Sequence, residues 1–167
     1  YEIVEEFKGE DLKYKKYQRI FGYDFSLKDV RGKSLNPDIT PVWQVLIADF
    51  VSETEGTGIV HIAPAFGEED YQFALRKDLP FLQHVGTDRR FKQEVTDFAG
   101  ELVKPKDDHQ ATDIKIIKHL AGKNLLFAKE KIIHSYPHCW RCDTPLLNYA
   151  SSSWFLKVTE IKEKLLK

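Results

Sequence analysis

Asp70 and His61 are the first residues in this chain whose types and spacing suggest chemistry. They flank a turn, with the histidine in the apolar run Ile59-Val60-His61-Ile62-Ala63 and the acid in the cluster Glu68-Glu69-Asp70. Pro64 stops the run and Phe66-Gly67 turns the chain, so the acids load the first turn of a helix, where the helix dipole favours negative charge. A histidine on a strand and an acid at the following helix start can face one cavity. Gly56 and Gly58 bracket Thr57 just upstream, a tight turn where backbone approaches something closely. Each residue also has an ordinary reading. An acid at a helix start is stabilising whatever else it does, and a lone histidine on an apolar strand is often a satisfied core or edge residue. Glu68 and Glu69 compete with Asp70 for any role.

A second chemical signal is Cys139-Trp-Arg-Cys142, which holds both cysteines of the chain. Cys-x-x-Cys is half of a tetrahedral zinc site, and a closed structural site needs four ligands. His134 and His138 lie nearby, but His138 adjoins Cys139, an awkward spacing for one metal. A redox dithiol is the other reading, though no thioredoxin-like βαβ pattern surrounds it. Third, Lys13–Arg19 interleaves cations with Tyr14 and Tyr17. That pattern suits phosphate contact and base stacking on RNA, or a solvated loop whose tyrosines cover a core edge.

The elements that must position these groups are short. Tyr1–Leu12 reads as a loose strand with a turn at Gly9–Asp11, and Phe21–Asn36 is irregular, with Pro37 and Pro41 bounding a loop. Val42–Val51 and Ile59–Ala63 read as strands of one hairpin. Glu68–Lys77 reads as a helix with Tyr71, Ala74 and Leu75 on one side. Phe81–Val85 and Phe91–Phe98 read as paired strands around the turn Gly86–Arg90. Thr112 or Asp113 caps a helix that turns Ile114, Ile117, Leu120 and Ala121 inward and stops at Gly122. Leu125–His134 and Trp154–Val158 read as strands, and Thr159 caps a last helix bearing Ile161, Leu165 and Leu166. This pattern predicts a mainly β, α+β domain with short helices.

Composition sets the outer limits. The 167 residues suffice for one domain with a real core, and 42% hydrophobic with 31% charged residues is a globular balance. A formal net charge of −1 argues against a strongly basic nucleic-acid binder, but not against contact with a short RNA end. No apolar run approaches a membrane span, and two cysteines are too few for a secreted disulfide scaffold, so a reduced cytoplasmic setting is expected. The chain contains no methionine, starts in mid-pattern and stops within an amphipathic run, which reads as a piece of a longer protein.

His61 with Ala63-Pro64-x-Phe66-Gly67-x-x-Asp70-Tyr71 resembles the editing-domain signature of the class I aminoacyl-tRNA synthetases for isoleucine, valine and leucine. The isoleucyl type is the nearest in pattern. The block His134-Ser-Tyr-Pro-His-Cys-Trp-Arg-Cys-Asp-Thr-Pro145, followed by Ser153-Trp154-Phe155, is similar to the same family in the same order. The resemblance implies an editing (connective peptide 1) domain with a closed β-barrel core over residues 1–150. Residues 151–167 would be a strand and helix leading back to the catalytic body.

For function, the resemblance implies hydrolysis of valine mischarged onto tRNA(Ile), inside an enzyme that ligates isoleucine to tRNA with ATP. Valyl or leucyl relatives and a non-catalytic RNA-binding module are the alternatives. By the resemblance Asp70 anchors the α-ammonium of the aminoacyl group, a role suited to a carboxylate that would then be a poor general base. His61 lies on the wall that discriminates side chains, admitting valine and excluding isoleucine. Phe66 lines the cavity near the terminal adenosine, and Gly56, Thr57 and Gly58 shape its rim. Some relatives pair the Cys139/Cys142 half-site with cysteines elsewhere in the enzyme. The expected partners are the aminoacylated 3′ end of tRNA(Ile) and the catalytic body of the same polypeptide, with no membrane. No cofactor is expected in the chain itself; ATP and Mg, with zinc as a further option, belong to the parent.

Two departures matter. The family's threonine-rich segment, which supplies groups to the reaction centre, has no counterpart here, since no Thr-Thr pair exists in the chain. The isolated chain is therefore expected to hydrolyse little or nothing. The His-x-Gly-His and Lys-Met-Ser-Lys-Ser signatures and any phosphate-binding Gly-rich loop are also absent, so this chain does not activate an amino acid.

Overall fold

The structure is a computed structural model that describes residues 2–23, 41–52, 57–131 and 133–166. A 3₁₀ turn, Gly9–Leu12, is followed by α1 (Glu68–Arg76), α2 (Ala111–Gly122) and α3 (Val158–Leu165). Among the described residues there is no strand, and therefore no sheet and no barrel. Among the described residues the β-type pairing consists of four isolated antiparallel bridges: Lys16 with Gln44, Val85 with Phe91, Arg90 with Leu102, and His138 with Pro145.

This overturns the expected β-rich fold with a closed barrel core. A barrel exists only when each strand is hydrogen-bonded on both edges, and here extended segments use their backbone groups otherwise. The expected hairpin of Val42–Val51 with Ile59–Ala63 does not form. The first segment meets Tyr14–Tyr17 instead, through Tyr14 N–H to Val45 O (2.8 Å), Val45 N–H to Lys15 O (3.0 Å) and Tyr17 N–H to Trp43 O (3.0 Å). The second leaves Ile59 and Val60 exposed, and Ala63 N–H donates to a side chain. Phe81–Val85 and Phe91–Phe98 pair only beside their turn, where Gly86 N–H reaches Arg90 O and Lys92 N–H reaches His84 O. Beyond it successive tight turns take over, with Val95 N–H to Lys92 O and Phe98 N–H to Val95 O. Leu125–His134, as far as it is described, and Trp154–Val158 are likewise not strands.

The helices fall where the periodicity places them, but they turn differently. In α1, Phe73 and Ala74 are buried, Leu75 is exposed, and Tyr71 meets Phe81 edge to face. In α2, Gln110 rather than Thr112 is the cap residue, Ile114 and Ala121 are exposed, and Ile116 packs inward. Thr112 is 2% exposed and its hydroxyl donates to Leu102 O at 2.7 Å. Lys104–Asp113 and Lys115–Glu101 ion pairs bind the same helix to the same segment. In α3, Lys157 is the cap residue and no helix residue is buried.

Among the described residues two apolar clusters form the core. Phe73, Ala74 and Leu79 pack with Leu46, Ala48, Phe50 and Ile62 around α1. Tyr23, Val85, Phe91, Val95 and Phe98 pack with Phe66, Ile116 and Leu147, among others, on the side of α2. Ile62 belongs to the first cluster and Phe66 to the second, so the turn between them joins the two.

Candidate functional site

That joining turn is where the conspicuous residues sit. Phe66 N–H (2.9 Å) and Gly67 N–H (3.2 Å) both donate to Ala63 O, closing a tight turn that delivers the chain into α1. Gly67 is the cap residue of α1 and Asp70 its third residue. An acid at this position commonly reaches back to a nearby orphan backbone donor. Here it reaches further, and Asp70 Oδ2 accepts the Ala63 N–H at 3.0 Å. Among the described residues Oδ1 takes no hydrogen bond. The close approach depends on glycine: a Cβ on Gly67 would lie 2.6 Å from Asp70 Oδ2 and 3.0 Å from its Cγ. Ala63 thus spends both backbone groups on this turn, which fixes the carboxylate against the end of the 59–63 segment.

Phe66, on the same turn, packs into the second cluster. Its ring lies 4.8 Å from the His84 ring and 6.4 Å from Tyr149, both edge to face, and His84 stacks in parallel on Phe91 at 6.2 Å. Burial pushes the His84 imidazole below its usual range, with further lowering from the Lys92 and His61 charges. His61 is exposed but close enough to His84 for their charges to interact. Ala150 N–H donates to Ala65 O at 3.1 Å, and Gln83 Nε2 donates to Ala150 O at 2.8 Å, so residues 149–150 are strapped onto the same turn.

The sequence-derived site is therefore only partly assembled. Asp70, Phe66 and His61 share one neighbourhood. Thr57 hydrogen-bonds within its own turn, both to and from Ile59 at 3.3 Å, and Gly58 has φ +70°, a conformation glycine adopts without cost. Gly56 lies outside the described residues. His84 and Tyr149 were not singled out from sequence, although a histidine in an apolar run is the same signal that drew attention to His61. A concavity of about 500 Å³ is lined by Gly86, Asp88, Arg90, Phe91, Lys92 and Glu94, among others, and includes neither Asp70, His61 nor Phe66.

Cys139 and Cys142 occupy a separate hairpin. The His138–Pro145 bridge, Cys139 N–H to Thr144 O (2.9 Å) and Asp143 N–H to Cys139 O (2.8 Å) close it, and Asp143 takes φ 54° at its tip. Both thiols are free. Hydrogen bonds from Thr144, then from Cys139, lower the Cys142 thiol, whose Sγ is 3.0 Å from Thr144 Oγ1. Two donors do not complete a tetrahedral set, and among the described residues no three His, Cys, Asp or Glu side chains converge to hold a metal.

A carboxylate fixed through one oxygen by a backbone N–H keeps its other oxygen able to accept from a second donor. Relatives specify the class: they are aminoacyl-tRNA ligases. The chain is 42% identical over 165 residues to the isoleucine–tRNA ligase of Clostridium acetobutylicum, and 39% identical over 167 residues to that of Clostridium kluyveri. It is 40% identical over 166 residues to isoleucine–tRNA ligase 2 of Bacillus anthracis. These matches cover 99–100% of the chain but only 14% of each relative. The chain belongs, as a segment, to the isoleucyl-tRNA synthetase family. No protein-family model matches it. Among the described residues no helix is long and apolar enough to cross a membrane.

Proposed function

We propose that this segment is part of the editing domain of an isoleucyl-tRNA synthetase, acting after transfer to hydrolyse valine from mischarged tRNA(Ile). The observation that carries the reading is the Asp70 carboxylate, held by Ala63 N–H on the turn that also presents Phe66, with Oδ1 left for a ligand. In this reading Oδ1 receives the α-ammonium of the aminoacyl group, and Phe66 with His84 and Tyr149 walls the cavity. His61 limits the side chain admitted, and Thr57 with its flanking glycines forms the rim. A paired carboxylate positions substrate rather than activating water. Water attacks the ester carbonyl, and the reaction also needs donors for the oxyanion.

The need for such a site follows from a limit on binding. One methylene in an apolar pocket supplies about 1–3 kcal/mol of discrimination, for which isoleucine against valine in this enzyme family is itself the standard instance. A second pocket, sized for the smaller product, removes what the first admits.

The parent enzyme, cytoplasmic in this reading, would charge tRNA with isoleucine using ATP and Mg on its catalytic body. Residues 1–150 would form the editing part and 151–167 the return to that body. Exposed Trp154, Phe155 and Leu156 suit burial against more of the same polypeptide. The Cys139/Cys142 hairpin would hold zinc only with two further ligands from elsewhere in the parent. The isolated chain is expected to hydrolyse little.

The test is deacylation of valyl- and isoleucyl-tRNA(Ile) by the full-length synthetase carrying this segment, with and without Asp70→Ala. Loss of valine removal with charging intact is the expected outcome. Undiminished valine removal by the variant would refute the anchor role and the reading built on it.

A further inference from the structure

We infer that His84 is a positioning residue of the proposed hydrolytic site: its ring bridges Phe66 to Phe91 and so sets where the Phe66 ring stands. The role rests on the hydrolytic reading of the Asp70 turn, to which it adds a residue that acts through Phe66.

The turn closed by Ala63 O fixes the backbone of Phe66, but a backbone turn does not by itself choose the rotamer of a benzyl ring. His84 supplies that choice from a distant segment. Its ring lies 4.8 Å from Phe66 with 60° between the planes, and it stacks on Phe91 at 6.2 Å and 9°. Phe91 is buried in the second cluster, which gives the imidazole a firm backing. The backbone under His84 is tied as well, since its carbonyl accepts Lys92 N–H at 3.0 Å. Next to it, Gln83 Nε2 donates to Ala150 O, and Ala150 N–H donates to Ala65 O. Residues 83 and 84 therefore hold the Phe66 turn twice, once through a ring and once through a hydrogen-bonded strap.

The imidazole can do this only while neutral. Burial is the largest cost of charging it, followed by repulsion from Lys92 on the far side of the Gly86–Arg90 turn and from His61 on the segment before Pro64. The rings against it, Phe66 and Phe91, carry no charge, and Asp70, in the first turn of α1 beyond Phe66, has Oδ2 committed to Ala63 N–H. A protonated His84 is thus driven toward water and away from Phe66. A phenylalanine at this position would pack at every pH, whereas histidine makes the packing conditional on pH. In the hydrolytic reading Phe66 touches the substrate at the terminal adenosine, away from the ester. A displaced ring therefore weakens ground state and transition state alike, which raises KM and leaves kcat.

The experiment measures KM and kcat for valine removal from valyl-tRNA(Ile) by the full-length synthetase carrying this segment. The native sequence, His84→Ala and His84→Phe are compared from neutral to mildly acid pH. At neutral pH His84→Ala should raise KM by about 2- to 12-fold with kcat retained, the range that an aromatic pair supplies. His84→Phe, which restores a ring, should stay near the native KM. Toward acid pH the native KM should climb above that of His84→Phe, and ionisation of the substrate's own amine cancels in this comparison. A loss confined to kcat, as a shortage of folded enzyme would give, overturns the inference. So do superimposable curves of KM against pH for the native sequence and His84→Phe, which need no alanine variant. Undiminished valine removal in Asp70→Ala refutes the hydrolytic reading and this role with it. Its loss in Asp70→Ala beside a native KM in His84→Ala refutes this role alone.

Discussion

Replacing Gly67 by alanine isolates the contact that holds Asp70 in place. The backbone there, φ −132° and ψ 134°, suits alanine, so no left-handed strain is introduced. The new methyl would sit 2.6 Å from Asp70 Oδ2, which must retreat by roughly 0.8 Å to restore an ordinary separation. A retreat of that size stretches the 3.0 Å bond from Ala63 N–H beyond hydrogen-bonding range. A hydrogen bond to a charged group contributes about 1.5–3 kcal/mol, and the lower chain entropy of alanine in the unfolded state returns about 0.4–1. The net loss is about 1–2 kcal/mol, or roughly 2–8 °C in Tm for a chain of this size.

Thermal melting gives the total, and hydrogen exchange at the Ala63 amide reports the bond itself. The same change in an Asp70→Ala background should cost little, because the atoms it would strike are gone. Full protection of the Ala63 amide in Gly67→Ala, or an equal loss in both backgrounds, would refute the reasoning. If Asp70 anchors the aminoacyl group as proposed, the misplaced carboxylate should slow valine removal by the full-length synthetase by about 100-fold, since displacements near 1 Å carry that cost.

Two further outcomes follow from the packing. His84 has its pKa lowered from 6.5, so between the folded value and 6.5 the unfolded chain binds the extra proton. Its contribution to stability is therefore complete above pH 6.5 and lost as pH falls through the folded value. Urea unfolding from neutral to mildly acid pH should show a steeper decline for the native sequence than for His84→Phe, and parallel curves would count against the burial argument. Thr112→Val keeps the shape of a side chain that is 2% exposed but leaves Leu102 O without its donor, which should cost about 1–3 kcal/mol in urea unfolding. No loss would mean that α2 is held by Ile116 and its ion pairs alone.

The helix start that carries Asp70 is legible in the sequence alone. Acid at the start of an apolar-periodic run, after Pro64 and Phe66-Gly67, places the start of α1 at Glu68 and puts Asp70 in its first turn, because those signals act over a few residues. The turn at Gly86–Arg90 was legible for the same reason. The strands were not. Val42–Val51 and Ile59–Ala63 have the composition of strands, but β-propensity says only that a segment suits a partner, not that one is there. Tyr14–Tyr17 takes part of the first segment's pairing, and Asp70 takes the last amide of the second. Helix faces failed more gently: Phe73 is buried where Leu75 was expected, because the packing of Phe50 edge to face on Phe73 at 5.7 Å decides which side of α1 turns inward.

The family pattern and the helix positions are written in the sequence, as are the types and spacing of Asp70, His61 and Phe66. The folded chain alone spends Oδ2 of Asp70 on Ala63 and, among the described residues, leaves the extended segments without a ladder. It also brought His84 and Tyr149 against Phe66, and Gln83 to Ala150 across 67 positions. The division is physical. Caps, dipoles and turns are settled by neighbours along the chain and can be read from it. Contacts between distant segments are settled by which apolar surfaces meet, and local sequence carries no record of that choice.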